Sequence, residues 1–151
     1  MIIRKAIMDD AEQIYKLIEL HAIQGKLLHR TKNSIYEHIQ CFYVAVKENE
    51  VIGAASLHIL DYDLSEIRSL VVSPDVLRKG IGKKLVNIII EEASKLKIPK
   101  LISLTYEETF FHMCGFEVVQ KESLPQKMWK DCIHCPKLLS CDEIAMIKIV
   151  C

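Results

Sequence analysis

The segment LSEIRSLVVSPDVLRKGIGKKLV, from Leu64 to Val86, decides the fold that the sequence predicts. Its apolar run from Ile67 to Val72 contains β-branched residues and is short enough for a buried strand. Ser73-Pro74 ends this strand, because proline has no amide donor and disfavours helix at the preceding residue. A helical repeat of apolar residues follows at Ile81, Leu85, Ile88, Ile89, Ala93 and Leu96.

Gly80 and Gly82 lie where the predicted strand gives way to the predicted helix. This order directs several free amide groups and the positive end of a helix at one point, which suits a phosphate group. The structural alternative is one loop glycine followed by one helix-packing glycine. The segment lacks the third glycine of a dinucleotide-binding fingerprint and the Gly-Lys-Ser/Thr of a P-loop.

Composition favours a globular protein without a nucleic acid or a membrane as its main partner. The chain has 151 residues, of which 50% are apolar and 26% are charged, and its formal net charge is zero. Nucleic acids and anionic membranes attract proteins with an excess of basic residues. No apolar run approaches the length of about 20 residues that spans a membrane. The first residues lack the layout of a signal peptide, so a cytoplasmic location is expected.

The rest of the chain supplies further strands and helices. The predicted strands are Ile2 to Ala6, Phe42 to Val46, Val51 to Ile59, Lys100 to Thr105, Phe116 to Gln120 and Glu143 to Val150. Asp9-Asp10 is predicted to cap a first helix that Gly25 ends. Ser34 is predicted to cap a second short helix that runs through Gln40, and Gly115 to close a last helix from Glu107 to Cys114. The helical crossover between the fourth and fifth strands implies that they are parallel. The pattern indicates one mixed α/β domain over residues 1–151.

This order of elements, with VVSPDVLRKGIGKKLV in the middle, resembles the GNAT superfamily of acetyl-coenzyme A-dependent N-acetyltransferases. The family pattern is a strand, a proline, [Arg/Gln]-x-x-Gly-x-[Gly/Ala] and a helix. Its later mark, Phe-Tyr-x-x-x-Gly-Phe, corresponds to FFHMCGF at Phe110 to Phe116. The resemblance implies the GNAT fold: a mostly antiparallel sheet of about seven strands with about four helices, in which strands four and five form a splayed parallel pair.

Three further segments resemble the short, single-domain bacterial N-acetylglutamate synthases. They are QGKLLHR at Gln24 to Arg30, SEIRSL at Ser65 to Leu70, and LPQKMWKDCIHCP at Leu124 to Pro136. Those enzymes acetylate the α-amine of glutamate at the entry to arginine synthesis. The resemblance therefore implies acetyl-CoA as co-substrate, a small amino acid as acceptor, and a homodimer as a possible assembly.

The resemblance also assigns the residues that hold the cofactor. The main-chain amides that would cradle the pyrophosphate belong to Arg78, Lys79, Gly80, Ile81, Gly82 and Lys83. The edge of the fourth strand, at Leu70, Val71 and Val72, would pair with the pantetheine arm. The amide of Val71 is the predicted donor to the oxyanion, and one such donor typically contributes about 3 kcal/mol.

Glu66 is the predicted general base, acting directly or through water. It precedes an apolar strand that should line the site, and its structural alternative is a solvated glutamate at a strand end. A dicarboxylate acceptor needs fixed cations, and Arg30, Arg68 and Lys127 are the predicted ones, because guanidinium groups bind carboxylates through two hydrogen bonds. The alternatives are a surface salt bridge for Arg68 and a solvated loop cation for Arg30.

Two positions depart from the family pattern. The family's Arg/Gln position falls on Leu77, and Arg78 replaces a usual glycine, so a side-chain contact to the cofactor is lost and Arg78 can supply charge instead. The tyrosine that often acts as general acid falls on Phe111. A thiol with a pKa of about 8.5 leaves tolerably as thiolate, so Phe111 is compatible with activity. Tyr106 is the nearest alternative phenol in the sequence.

Cys132, Cys135 and Cys141 form a C-x2-C-x5-C pattern with His134 inside it. Three thiols and one imidazole could bind a structural zinc ion, but the second C-x2-C of a zinc site is missing. No metal is therefore predicted, and a packing or redox-active loop is the favoured interpretation.

Two other functions fit the same sequence. The same fold could acetylate another amine, such as a protein N-terminus or a polyamine, since the fold alone does not determine the acceptor. Leu77 and Phe111 would also suit a non-catalytic sensor that binds acyl-CoA.

Overall fold

The computed structural model of the chain describes residues 1–124 and 143–151. Within these residues the strands are β1 (Ile2–Lys5), β2 (Phe42–Lys47), β3 (Glu50–Asp61), β4 (Leu64–Val72), β5 (Lys100–Thr105), β6 (Glu117–Val118) and β7 (Ile144–Ile149). The α-helices are α1 (Ala11–Ile23), α2 (Lys32–Glu37), α3 (Ile81–Lys95) and α4 (Glu108–Met113). Short 3-10 turns occur at Met8–Asp10, Ile39–Cys41, Pro74–Val76 and Lys121–Ser123.

The described strands form one mixed sheet in the order β1-β2-β3-β4-β5-β7-β6. β1 with β2, β2 with β3, β5 with β7 and β6 with β7 are antiparallel pairs, whereas β4 and β5 are parallel. The parallel pair follows from the crossover through α3, since two parallel strands need a long connection. The predicted mixed α/β fold, with parallel fourth and fifth strands in a mostly antiparallel sheet, is confirmed.

The parallel ladder between β4 and β5 is short. It pairs Leu64 with Lys100, Ser65 with Leu101 and Glu66 with Ile102. However, β4 continues to Val72 and β5 continues to Thr105. The backbone groups of residues 70–72 therefore lie beyond the last pair of this ladder.

The chain forms two compact units, the first of which consists of Met1–His58 and Ile67–Glu92. Its core joins α1, α2, β2, β3 and the second half of β4 through Ala11, Ile14, Ile18, Ile35, Phe42, Val44, Val51, Ala54 and Val71. The sequence spacing predicts one apolar face on the first helix, and the structure confirms it at Ala11, Ile14, Leu17, Ile18 and Ala22. That the whole chain is a single domain stays a prediction.

Asp10 starts α1 in a different way from the one predicted. Its carboxylate accepts two hydrogen bonds from Arg4, at 2.7 and 3.0 Å, and a third from the backbone amide of Ile7 at 2.8 Å. It therefore caps the preceding 3-10 turn and makes no side-chain cap bond to α1. Burial alone would raise the pKa of Asp10, but the hydrogen bonds from Arg4 and Ile7 outweigh burial and hold this pKa below its usual value.

Three other predicted boundaries need correction. Thr31, not Ser34, caps α2: the Thr31 hydroxyl accepts the backbone amide of Ser34 at 3.0 Å. α2 ends at Glu37, and a separate 3-10 turn at Ile39–Cys41 continues toward β2. The strand predicted from Phe116 to Gln120 is reduced to Glu117–Val118, because the backbone before it is used to end α4.

Close packing and one half-buried hydrogen bond place α3 on the sheet of the first unit. A Cβ atom on Gly53 of β3 would lie only 3.1 Å from Leu85 Cδ1, 3.2 Å from the Val71 carbonyl oxygen and 3.3 Å from Ile81 Cγ2. The missing side chain thus lets the first turn of α3 lie directly over β3 and β4. Further along α3, Glu92 accepts a 2.9 Å hydrogen bond from Tyr43. Burial and this carboxylate raise the pKa of Tyr43 to about 12.

The second compact unit consists of Ile59–Glu66 and Ala93–Cys151, of which residues 125–142 are not described. Its apolar cluster contains Leu64, Ile102, Leu124 and Ala145. Gly115, with φ of +92°, ends α4 as predicted. The amide of Phe116 donates to the carbonyl of Phe111 and that of Gly115 to His112, both at 3.0 Å, which is a Schellman motif.

Among the described residues, no helix combines the length and the apolar composition that crossing a membrane requires.

Candidate active site

The glycine loop joins the end of β4 to the start of α3, all within the first unit. Ser73 caps the 3-10 turn Pro74–Val76, accepting the amide of Asp75 on its hydroxyl at 3.4 Å. Two residues of the loop then adopt left-handed backbone conformations, Arg78 with φ of +67° and Gly80 with φ of +77°. The first helical hydrogen bond runs from the amide of Lys84 to the carbonyl of Gly80, at 3.1 Å.

This geometry leaves the first amides of α3, those of Ile81, Gly82 and Lys83, without acceptors inside the helix. They point out of the helix at its positive end, where an anion is stabilised. Arg78, Lys79 and Lys83 are exposed and add positive charge around the same turn. The structure therefore brings together the residues that the sequence assigned to a pyrophosphate.

The three residues predicted to form the cofactor edge of β4, Leu70, Val71 and Val72, differ in whether their backbone groups face β3. Ser73 donates its amide to the carbonyl of Ile52 at 2.8 Å, so residue 73 faces β3. The carbonyl of Val71 also lies against Gly53 of β3. Because successive strand residues alternate, Leu70 and Val72 direct their backbone groups away from β3. That the amide of Val71 donates to the oxyanion stays a prediction. The alternation favours Leu70 and Val72 as the residues whose backbone groups a cofactor could pair with, because these groups are directed away from β3.

Glu66 lies in the second unit, where Ile102 is its partner in the β4–β5 ladder. It is only 6% exposed, which excludes the solvated strand-end glutamate that was its structural alternative. A buried carboxylate on this strand retains the chemistry of a base, but its catalytic role stays a prediction.

Arg30 is half-buried in the first unit and is not a solvated loop cation. Its Nε and Nη2 donate to the hydroxyl of Ser34, at 3.2 and 3.1 Å, and its Nη1 donates to the hydroxyl of Ser69 at 3.2 Å. Its guanidinium also lies over the ring of Phe42, 5.1 Å from the ring centre. These contacts orient the guanidinium between α2 and β4.

Two histidines extend this arrangement. His38 Nδ1 lies 2.8 Å from the Ser34 carbonyl oxygen and 3.3 Å from Arg30 Nη2. The shorter contact indicates that Nδ1 carries a proton and donates it to the carbonyl. The rings of His38 and His58 are 5.3 Å apart. No pattern in the sequence indicates this cluster, because neither histidine has ligand spacing and their proximity depends on the pairing of distant segments.

Arg68 is half-buried on β4, and its backbone is held from β3. Its carbonyl accepts a 3.0 Å hydrogen bond from the hydroxyl of Ser56. Since that hydroxyl uses its only proton on Arg68, the 3.2 Å contact between Ser56 and His58 Nε2 requires an N–H on the histidine. Ser34, Ser56 and Ser69 thus hold the predicted arginines by hydrogen bonds, and no local pattern in the sequence marks them.

Phe111 occupies the position of the family's tyrosine and has a structural role. It is 4% exposed, and its ring meets that of Phe116 edge-on at 5.2 Å across the Schellman motif. This is the apolar contact that commonly accompanies such a helix end. The phenyl ring is therefore explained by packing at the end of α4.

The remaining predicted residues are not all described. Lys127, Cys132, Cys135 and Cys141 lie outside the described residues. In residues 1–124 and 143–151, no three His, Cys, Asp or Glu side chains come together as metal ligands.

Comparisons with known proteins agree with this geometry. The model of the acetyltransferase (GNAT) family matches residues 5–116. An uncharacterized N-acetyltransferase of Chlorobaculum tepidum is 39% identical over 146 residues, which cover 97% of this chain and 94% of that protein. An amino-acid acetyltransferase of Mycobacterium tuberculosis is 33% identical over 123 residues, which cover 79% of this chain and 70% of that protein.

Two solved structures extend the comparison. N-acetylglutamate synthase from Neisseria gonorrhoeae, complexed with coenzyme A and N-acetyl-glutamate, has a TM-score of 0.90 at 28% identity. The superposition covers 99% of this chain but only 35% of that longer chain. A Mycobacterium tuberculosis protein in complex with CoA has a TM-score of 0.86 at 26% identity, with 99% of both chains covered.

The left-handed conformation at Arg78 predicts an unusual stability effect. An L-residue other than glycine in this conformation costs about 1–2 kcal/mol of strain, which a glycine would remove. The greater conformational freedom of glycine in the unfolded chain cancels part of this gain in stability. Arg78→Gly should therefore raise the free energy of unfolding by about 0.5–1 kcal/mol in urea denaturation. Arg78→Lys, the matched control, keeps the charge and the strain and should match the parent protein. A glycine variant that is no more stable than the lysine variant would contradict the loop geometry.

Proposed function

The chain belongs to the acetyltransferase (GNAT) family, and on this premise we propose that it transfers an acetyl group from acetyl-CoA to the α-amine of glutamate. The observation that carries the proposal is Arg30. This half-buried guanidinium is oriented by Ser34 and hydrogen-bonded to Ser69, the residue just before the predicted cofactor edge of β4. A fixed guanidinium at this place suits a carboxylate of the acceptor.

The cofactor would be held almost entirely by main-chain groups. The amides of residues 80–83 at the start of α3 would bind the pyrophosphate, with Arg78, Lys79 and Lys83 adding charge. The pantetheine amides would pair with the backbone of Leu70 and Val72. Both the Neisseria gonorrhoeae enzyme and the Mycobacterium tuberculosis neighbour were solved with CoA, which supports this assignment.

Glutamate is supported as acceptor by the charges of the site and by the relatives. A dicarboxylate needs two cations, and Arg30 and Arg68 are the proposed pair, with Lys127 as a third. Relatives named amino-acid acetyltransferase and a neighbour complexed with N-acetyl-glutamate point to the same class of acceptor. A fixed guanidinium such as Arg30 also repels a polyamine, which is itself cationic, so the charge at this position favours an acidic acceptor.

The proposed chemistry is direct attack of the amine on the thioester. Glu66, directly or through water, accepts the proton of the ammonium, and the freed nitrogen attacks the carbonyl carbon. The backbone amides of β4 stabilise the resulting oxyanion. The C–N bond forms in this attack, and the C–S bond breaks as the carbonyl re-forms. The nitrogen gives up its second proton to solvent as it becomes an amide, and CoA leaves as a thiolate that takes up a proton from solvent. Phe111 has no part in this sequence of events.

A thiol-release assay with acetyl-CoA and a panel of acceptors tests the acceptor assignment. The panel contains glutamate, aspartate, glutamine, arginine, spermidine and a peptide with a free N-terminus. We expect glutamate to give the highest kcat/KM, and glutamine to fall about 10- to 100-fold behind because it leaves one cation without a charged partner. Preference for the peptide or spermidine would favour another amine, and CoA binding without turnover would favour a sensor.

Glu66→Gln should lower kcat about 10²- to 10⁴-fold, the usual contribution of general-base catalysis. The acidic limb of the pH–rate profile should disappear with it, because glutamine cannot titrate. The KM for acetyl-CoA should change little, since this side chain is not assigned to the cofactor. Unchanged turnover with an unchanged pH profile would remove Glu66 from the mechanism.

Arg30→Ala and Arg68→Ala should each raise the KM for glutamate about 10- to 100-fold, because a hydrogen bond between charged groups contributes about 1.5–3 kcal/mol. The lysine variants should recover only part of this loss, since lysine lacks the planar fork. Lys26→Ala removes an exposed cation near Arg30 in the sequence and serves as the control. If the KM of both alanine variants matches this control, the carboxylate ligands lie elsewhere.

A further inference from the structure

Ser69 adopts a backbone conformation that strands do not normally contain. Its φ is +53°, although it lies in the interior of β4 and carries a side chain. Such a residue interrupts the regular alternation of a strand and changes the direction of the residues that follow. Here the residues that follow are 70–72, whose backbone is the proposed cofactor edge.

Hydrogen bonds from both sides hold this conformation. From the side of α2, Arg30 Nη1 donates to the Ser69 hydroxyl at 3.2 Å. From β3, the hydroxyl of Ser56 donates to the carbonyl of Arg68 at 3.0 Å, one residue before the kink. A strained residue persists only where its surroundings determine it, and these two contacts do so.

Arg30 is therefore connected to two different parts of the reaction. Under the proposed function it binds a carboxylate of the acceptor, and in the structure it is hydrogen-bonded to the residue that directs the cofactor edge. A carboxylate bound to Arg30 would fix the guanidinium and, through Ser69, the direction of the Leu70 amide. The converse also holds, because cofactor bound along β4 would fix Ser69 and hence Arg30.

We propose that Ser69 is a positioning residue that couples the two substrates: acceptor bound at Arg30 strengthens cofactor binding along β4, and cofactor strengthens acceptor binding by the same factor. This inference rests on the proposed function, because it takes the acceptor carboxylate to be the ligand of Arg30. The equality of the two factors is a thermodynamic requirement and provides an internal check.

Isothermal titration calorimetry measures the coupling directly. CoA is titrated into the parent protein with and without saturating glutamate, and glutamate is titrated with and without saturating CoA; CoA replaces acetyl-CoA so that no turnover occurs. We expect glutamate to tighten CoA binding about 5-fold or more, the lower end of typical couplings between sites. The reciprocal titration should give the same factor.

Two substitutions at Ser69 separate the hydroxyl from the backbone. Ser69→Gly removes the hydrogen bond to Arg30, while glycine adopts φ of +53° without strain. The coupling factor should fall to about 1, with CoA affinity in the absence of glutamate retained within about 2-fold. Ser69→Ala removes the hydroxyl but keeps the strain, so it should lose the coupling and also bind CoA more weakly. Ser123→Ala, on the Lys121–Ser123 turn, is the control for removing a hydroxyl and should keep the parent coupling.

Failure of this inference can be told apart from failure of the proposed function. Glutamate binding with no effect on CoA, or full coupling in Ser69→Gly, overturns the role of Ser69 and leaves the acceptor assignment intact. CoA binding with no heat from glutamate overturns the acceptor assignment and, with it, this inference. Loss of coupling in both Ser69 variants but not in Ser123→Ala supports the inference.

Discussion

The parallel ladder between β4 and β5 joins only three residue pairs, and the candidate site depends on where that ladder ends. Beyond the last pair of this ladder, Glu66 with Ile102, lie the β4 residues whose amides are proposed to serve a ligand. The ligand proposed for them is an extended chain that carries its own amides, and it can replace a missing neighbouring strand. A few residues later, the same chain segment presents the free amides of α3 to an anion. The proposed cofactor site thus consists mainly of backbone groups.

Left-handed residues make these backbone groups available. Ser69 redirects the end of β4, and Arg78 and Gly80 turn the loop into the first turn of α3. Two of the three are not glycine, so part of the folding free energy is spent on conformations that sequence propensity disfavours. Gly53 has the opposite role: it has no side chain because α3 and the Val71 carbonyl occupy that space. Backbone strain and close packing therefore occur together in the segment to which cofactor binding is assigned by the proposal.

Much of the fold could be predicted from local pattern. The strands were recognisable from short apolar runs, the central helix from the spacing of Ile81, Leu85 and Ile89, and the end of α4 from Gly115. What failed depended on which of several possible partners a side chain takes. Asp10 looks like a cap for α1, but its carboxylate binds Arg4. Ser34 looks like a cap for α2, but the cap is Thr31, whose hydroxyl accepts the amide of Ser34. No local pattern predicts that Ser69 is left-handed or that Arg30 reaches it, because both depend on how α2 packs beside β4.

The central claim is that main-chain amides of β4 and of the α3 start hold acetyl-CoA. Hydrogen–deuterium exchange with and without saturating CoA, resolved to single amides by NMR, measures those amides themselves. The account predicts that CoA slows exchange at Leu70, at Val72 and across residues 80–83, and leaves the amides of β1 unchanged. Binding of CoA with unaltered exchange at these positions would contradict it, as would protection confined to other parts of the chain.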